Sequence, residues 1–217
     1  MWQEAELKDI GELCIKNDIL IVSDEIHQDI VFEGFKHIPF ASISDAFADR
    51  SVTITGISKT FNLAGLQMSN IIIPNSSINR RFTKMVESCG IFLPNTFAIA
   101  ATEAAYRHGA SWLEQLLSYL QENLVFLNSY IAERIPGLKV IQPEGTYLVW
   151  LDFRGCGIDH TKLGSFLRED AKVALEAGTK FGCKEKGFER MNIACPRATL
   201  TEGLRRIEKT IRTMGEQ

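Results

Sequence analysis

Ser51-Val-Thr-Ile-Thr-Gly-Ile-Ser-Lys-Thr-Phe-Asn-Leu-Ala-Gly-Leu-Gln-Met-Ser-Asn70 is the stretch on which the reading of this chain turns. From residue 51 to residue 79 it holds a single charged side chain, Lys59. A lysine among apolar groups escapes the cost of burial by losing its proton, and a neutral amine is a nucleophile toward aldehydes. A lysine at a strand end can instead lay its stem on apolar neighbours and keep its ammonium wet. The flanks favour the chemical reading. Ser51 to Ile54 is strand-like, and small or hydroxylated residues then crowd the lysine, as suits a backbone that approaches a bound anion or ring closely.

Working outward, Ile19 to Ser23 is a continuous apolar run ended by Asp24-Glu25, which predicts a strand buried on both faces. Val52 to Ile54 and Asn70 to Ile73 are shorter runs of the same kind. Long connections between such strands predict a parallel or mixed sheet in an α/β layer. Ligands of such sheets bind beyond the strand carboxyl ends, where Asp24 and the Lys59 loop would both lie. Before the first strand, Leu7, Ile10, Leu13 and Cys14 share a helical face, with no obvious cap. Thr96 to His108 predicts a helix stopped by Gly109 at C′. Ser111 to Glu114 reads as a capping box opening a long helix striped by Leu113, Leu117, Leu120, Leu124, Leu127 and Ile131 and ended by Pro136-Gly137. Beyond it come strands over Leu138 to Ile141 and Thr146 to Leu151, a helix from Asp159 to Asp170, strands near Val173 and over Met191 to Cys195, and a last helix opened by a box at Thr199 to Glu202. A domain boundary is expected inside the long helix, giving residues 1–117 and 118–217.

Composition narrows the class. Of 217 residues, 45% are hydrophobic, which excludes a disordered chain. A net charge of −3 argues against nucleic acid or an anionic membrane as partner. No apolar run approaches the ~20 residues of a membrane span, and no signal peptide is read at the start. Five scattered cysteines without a Cys-x-x-Cys pair predict a reduced, cytoplasmic protein with no structural zinc site. The four histidines show no metal-ligand spacing.

Three polar features stand at apolar strand ends: Asp24-Glu-Ile-His27, Ser58-Lys59 and Cys195-Pro-Arg197. Singly, each has a plain structural reading, as a helix cap, a surface charge or a packed histidine. Together they sit in Val22-Ser-Asp-Glu-Ile-His-Gln-Asp-Ile-Val31, Ser58-Lys-Thr-Phe-Asn-Leu-Ala-Gly-Leu-Gln67, Ala101-Thr-Glu-Ala-Ala-Tyr-Arg-His-Gly109, Pro143-Glu-Gly-Thr-Tyr-Leu-Val-Trp-Leu-Asp152 and Asn192-Ile-Ala-Cys-Pro-Arg197. In that order they resemble the C-terminal half of fold-type I pyridoxal-phosphate (PLP) enzymes, the aminotransferase class I/II superfamily. Within it, the chain is most similar to the cystathionine β-lyase and C–S lyase branch.

The resemblance implies an α/β fold. It consists of the C-terminal part of a PLP-binding large domain, with a mixed and mostly parallel sheet, followed by a small α+β C-terminal domain. It implies pyridoxal 5'-phosphate as cofactor, held as a covalent aldimine on Lys59, which also shuttles protons. Asp24 would pair with the pyridine nitrogen, His27 would face the ring hydroxyl, and Ser58 and Thr55 are phosphate or loop-positioning hydroxyls. Arg197 would clamp the substrate α-carboxylate bidentately. Two departures stand out. Many relatives carry an arginine where this chain has Gln67. The phosphate-cradling glycine turn, the ring-stacking aromatic and an asparagine near the ring hydroxyl belong to a half that precedes this sequence, and Tyr147 lies in a small-domain motif.

The expected activity is α,β-elimination on a small sulfur-containing amino acid such as cystathionine, giving thiol, pyruvate and ammonia, with the truncated chain itself expected to be inactive. The alternatives are an aminotransferase, or a cofactor-free fragment or interaction module. A homodimer is expected, with self-association covering open strand edges and apolar faces.

Overall fold

The computed structural model describes residues 1–91 and 93–215. The chain divides into two units, Met1–Gln115 and Leu116–Gln217. In the first, α1 (Glu4–Lys16), β1 (Ile21–Asp24), α2 (Asp45–Asp49), β2 (Ser51–Thr55), α3 (Ile57–Thr60), β3 (Asn70–Ile72), α4 (Ser76–Ser88) and α5 (Thr96–His108) lead into α6 (Ala110–Arg134), which continues into the second unit. The sheet order is β1-β2-β3. β1 and β2 run parallel with Asp24 opposite Ile54, and β3 is antiparallel with Asn70 opposite Thr55. The sheet is therefore mixed, with one parallel and one antiparallel pair. The central strand β2 is buried along almost its whole length. β1 is not buried on both faces as expected: alternate residues are uncovered, and Val22 is 61% exposed. The reason is its place at the sheet edge, where one face has no layer over it among the described residues.

Helix α1 buries only part of the face its apolar residues mark, with Cys14 partly covered and Ile10 exposed. Leu7 and Gly11 point inward, while Leu13 is exposed. A Cβ on Gly11 would lie 2.4 Å from the Phe47 ring. Phe47 stacks on Phe40 at 5.3 Å, and Leu7 completes this small core with Ile21, Ile38 and Ile43. The start of α1 is capped after all. Glu6 accepts a hydrogen bond from the Gln3 N–H at 2.8 Å, an arrangement that glutamine in the cap position does not advertise.

Helix α5 ends at Gly109 as expected, yet Gly109 is not left-handed (φ −84°). Its missing Cβ makes room for the Phe61 ring, which a methyl group would meet at 2.3 Å. Because Gly109 keeps a helical φ, α6 begins at once, and Ser111 lies inside its first turn rather than capping it. The Ser111 hydroxyl accepts from the Gln115 side chain at 3.3 Å instead.

The second unit holds the rest of α6, β4 (Lys139–Ile141), β5 (Leu148–Asp152), α7 (Leu163–Ser165) continued by a π-helical turn (Phe166–Asp170), β6 (Glu176–Ala177), β7 (Phe188–Asn192) and α8 (Arg197–Gly215). Its sheet is antiparallel, ordered β4-β5-β7-β6. Leu120, Leu124, Leu127 and Ile131 of α6 are buried, as are Leu204 and Ile207 of α8 and Val149, Leu151 and Met191 of the sheet. Gly137, at φ 88°, turns the chain after α6 where a Cβ would fall 2.1 Å from the Gly155 carbonyl oxygen.

Three sequence expectations fail here for local reasons. The helix expected from Asp159 starts later, because Asp159 accepts the Thr161 N–H (2.9 Å) and hydroxyl (2.8 Å) in a turn. Val173 is not in a strand, since its N–H closes the preceding helical turn on the Leu167 carbonyl at 2.8 Å. The box at Thr199 lies within α8, and Glu202 faces Arg205 and Arg206, each at 2.8 Å, which hold its carboxyl down at about 2. Among the described residues no helix is long and apolar enough to cross a membrane, and no His/Cys/Asp/Glu group could hold a metal ion.

Candidate functional site

Parallel pairing brings the carboxyl ends of β1 and β2 to the same side of the sheet, and those ends are Asp24 and Thr55. The Asp24 carboxylate is exposed, with Oδ1 on the Ile26 N–H at a long 3.3 Å. The Thr55 hydroxyl is buried and accepts from the Asn70 side chain at 3.3 Å; Asn70 also donates to the Tyr106 hydroxyl at 2.8 Å. Gly56 follows, where a Cβ would crowd Ile26 (3.1 Å) and the Met68 carbonyl (3.3 Å). The four-residue α3 is anchored by Ile57 and Thr60, both almost fully buried, and so presents Ser58 and Lys59 half-buried. Lys59 is thus partly wet rather than sealed in the apolar interior. The Thr60 hydroxyl donates to Asp29 Oδ2 at 2.8 Å, tying the Lys59 turn to the segment just after His27, itself half-buried. Downstream, Asn62 (φ 55°) and Gln67 (φ 53°) are left-handed, a conformation non-glycine residues adopt at a cost.

Glu25 is a structural centre that sequence reasoning passed over. It is 5% exposed and accepts from the Ser23 hydroxyl (2.8 Å) and the Phe40 N–H (3.0 Å) on one oxygen and from His37 (2.8 Å) on the other. Burial acts to raise its pKa, but the bonds from His37, Phe40 and Ser23 together outweigh it and hold the carboxyl below its ordinary value. The network pins the chain between Asp24 and His27 and the loop running to Phe40. Its only sequence signal was an acid following an apolar run, which reads equally well as a cap.

Arg197 belongs to the second unit, as the first residue of α8. Its Nε donates to Asn123 Oδ1 at 2.7 Å, its guanidinium carbon lies 4.7 Å from the Phe126 ring centroid, and its backbone N–H donates to the Tyr119 hydroxyl at 2.8 Å. Asn123 was legible as the one polar residue within the buried stripe of α6, though nothing in the sequence names its partner.

A lysine and an aspartate carried beyond two parallel strand ends, with an arginine opening a later helix, is an arrangement that known families can be asked to match. The family model described as aminotransferase class I and II matches residues 1–207. The chain belongs to that family. This class I and II aminotransferase relative is 43% identical over 97% of its length to cystathionine beta-lyase PatB of Bacillus subtilis (strain 168), of which it covers 54%. It is 35% identical over 99% of its length to protein MalY of Escherichia coli (strain K12), again covering 54%. Among solved structures, cystalysin from Treponema denticola, which contains a pyridoxal 5'-phosphate cofactor, superposes with a TM-score of 0.95 at 36% identity over 99% of this chain and 54% of that one. The chain therefore spans about half the length of these relatives.

Proposed function

We propose that this chain carries the cofactor lysine and the substrate-carboxylate arginine of a PLP-dependent C–S lyase. The reaction is α,β-elimination on a cysteine-type thioether, in which the Cα–H and Cβ–S bonds break and thioether plus water yields thiol, pyruvate and ammonium. The observation that supports it best is the parallel register of β1 and β2, which sets Asp24 and the Lys59 turn beyond the same strand ends, combined with 43% identity to a cystathionine beta-lyase.

The residues present fit the cofactor. Asp24 is an exposed carboxylate with one weak backbone bond, free to accept from a protonated ring nitrogen. Ser58, half-buried beside Lys59, offers a hydroxyl to the phosphate, while the buried Thr55 hydroxyl, held by Asn70, and Gly56, packed under Ile26 and the Met68 carbonyl, position the strand end that carries it. When bound, pyridoxal phosphate supplies an electron sink for the pair released at the substrate Cα. Lys59 attaches the cofactor and moves the proton between Cα and the departing sulfur. His27 would face the ring hydroxyl, and Arg197 would receive the α-carboxylate through paired N–H bonds. A second reading, transamination, is favoured by the family model itself and uses the same lysine and arginine.

The test is pyruvate release from cystathionine by the full-length protein saturated with pyridoxal phosphate, alongside borohydride fixation of the cofactor and mass analysis of the lysine that carries it. Fixation on Lys59 with pyruvate release supports the lyase. Fixation with amino transfer to a 2-oxo acid and no pyruvate supports transamination. No fixation on Lys59 overturns both and leaves a folded, cofactor-free module. We further propose a homodimer, supported by the uncovered apolar side chains of the first unit, Val22 and Leu20 on β1 and its lead-in among them, and a cytoplasmic location, for which the five scattered cysteines are the support. Light scattering from a clean monomer would defeat the homodimer.

A further inference from the structure

We propose that Asn123 is the positioning residue that aims the Arg197 guanidinium end-on at a substrate carboxylate, an inference resting on the reading of Arg197 given above. Asn123 is fully buried on α6. Its Nδ2 donates to the Ile193 carbonyl at 2.8 Å and to the Cys195 carbonyl at 3.1 Å, which engages both amide hydrogens. Those acceptors fix the orientation of the amide, because a flipped side chain would set Oδ1 against two carbonyl oxygens. Oδ1 is therefore the atom that meets Arg197 Nε at 2.7 Å.

The consequence for Arg197 is geometric. A guanidinium can take a carboxylate side-on, through Nε and one Nη, or end-on, through its two Nη atoms. Asn123 occupies Nε, so the end-on pair is left for a ligand. Phe126 lies against one face of the guanidinium and limits rotation of its plane. One turn earlier on α6, Tyr119 fixes the backbone of the same residue. Its hydroxyl accepts the Arg197 N–H at 2.8 Å and reaches the Cys195 carbonyl at 3.4 Å. The amide is also the right chemical choice. An aspartate here would spend the charge of Arg197 internally and face two carbonyl oxygens, whereas a neutral acceptor leaves the full positive charge for the incoming carboxylate.

The experiment uses the full chain, nitrogen-15 labelled, and follows the Arg197 Nε–H resonance during an acetate titration, with chloride at equal ionic strength as the control. In the wild type, Nε–H exchanges slowly with solvent and acetate, but not chloride, perturbs the guanidinium. Asn123→Leu abolishes the slow exchange and weakens acetate binding about tenfold. Asn123→Asp keeps an acceptor on Nε while losing both donors to the Ile193 and Cys195 carbonyls, so its Nε–H remains slowly exchanging. If Asn123→Asp loses that protection as Asn123→Leu does, Asn123 merely holds the 193–195 turn and the proposal falls. Acetate affinity in a folded Asn123→Leu within about twofold of wild type overturns it too. Should circular dichroism show that Asn123→Leu does not fold, the aspartate variant decides. Arg197→Met separates the two levels: an unchanged acetate response in that variant removes the reading of Arg197 as carboxylate receptor, and this inference with it.

Discussion

Replacing Glu25 tests the reasoning about the first unit most directly. Glu25→Leu keeps the volume and removes both acceptor oxygens. The Phe40 N–H, at a residue 4% exposed, then loses its partner, which costs about 1–3 kcal/mol. The part-buried Ser23 hydroxyl adds about 1 kcal/mol, whereas His37, with 23% of its side chain exposed, can rehydrate and adds little. The expected loss is about 2–4 kcal/mol. Glu25→Gln can set its one oxygen where Oε1 stands, retaining Ser23 and Phe40, and should lose only about 1 kcal/mol. The pH dependence follows from the lowered carboxyl pKa of the folded state. Such a group contributes stability that is present above its unfolded pKa of about 4.3 and is lost as pH falls through the folded value. The advantage of wild type over Glu25→Gln should therefore be full at neutral pH and shrink on acidification below about pH 4. Urea denaturation followed by circular dichroism, repeated from neutral to acid pH, measures both effects. Equal losses for the leucine and glutamine variants, or a leucine variant within about 0.5 kcal/mol of wild type, would refute the assignment of Glu25 as the acceptor that holds this loop.

Gly11→Ala places a methyl 2.4 Å from the Phe47 ring and should destabilise by about 1–3 kcal/mol, against the gain that alanine normally brings inside a helix; a melting temperature equal to or above wild type would contradict the packing. Burial pushes the Glu189 carboxyl up to about 7, with Arg168 and Lys180 opposing the shift. A raised carboxyl pKa means the folded state keeps a proton that the unfolded chain releases, so stability is lost as pH rises from about 4 to 7. Glu189→Gln should flatten that slope and gain about 2–3 kcal/mol at neutral pH, and an unchanged slope in denaturant melts would count against it. Cys89 and Cys183 are exposed, while burial drives the Cys156 thiol up to about 11. Iodoacetamide at mildly alkaline pH should label the first two well before Cys156, and peptide mapping that finds Cys156 first would contradict its surroundings.

Local chemistry made several features readable. β2 lies where a short apolar run with β-branched residues put it, α5 runs from Thr96 to a stop at Gly109, and Gly137 turns the chain after α6. Lys59 stood out because a lone charge in a long neutral stretch is costly wherever the chain is packed. Other readings failed where the deciding partner is distant in sequence. Two capping boxes have the right residues at the right spacing, but Gly109 keeps a helical φ and α8 begins at Arg197, so both lie inside helices. The inward face of α1 is set by Phe47, far along the chain, and runs through a glycine that no hydrophobic pattern would mark.

The sequence by itself marked the main strands and the long helices, carried the family resemblance in its ordered motifs, and singled out Lys59, Asp24 and Arg197 as residues of interest, because periodicity, charge and motif order are properties of the chain alone. Only the tertiary structure decided which polar groups support them. Glu25 with Phe40 and His37, Thr60 with Asp29, and Asn123 with Arg197 are pairings across 12 to 74 residues. A hydrogen bond requires its two atoms within about 3 Å and in line, a condition that sequence separation does not encode and that only the folded backbone meets.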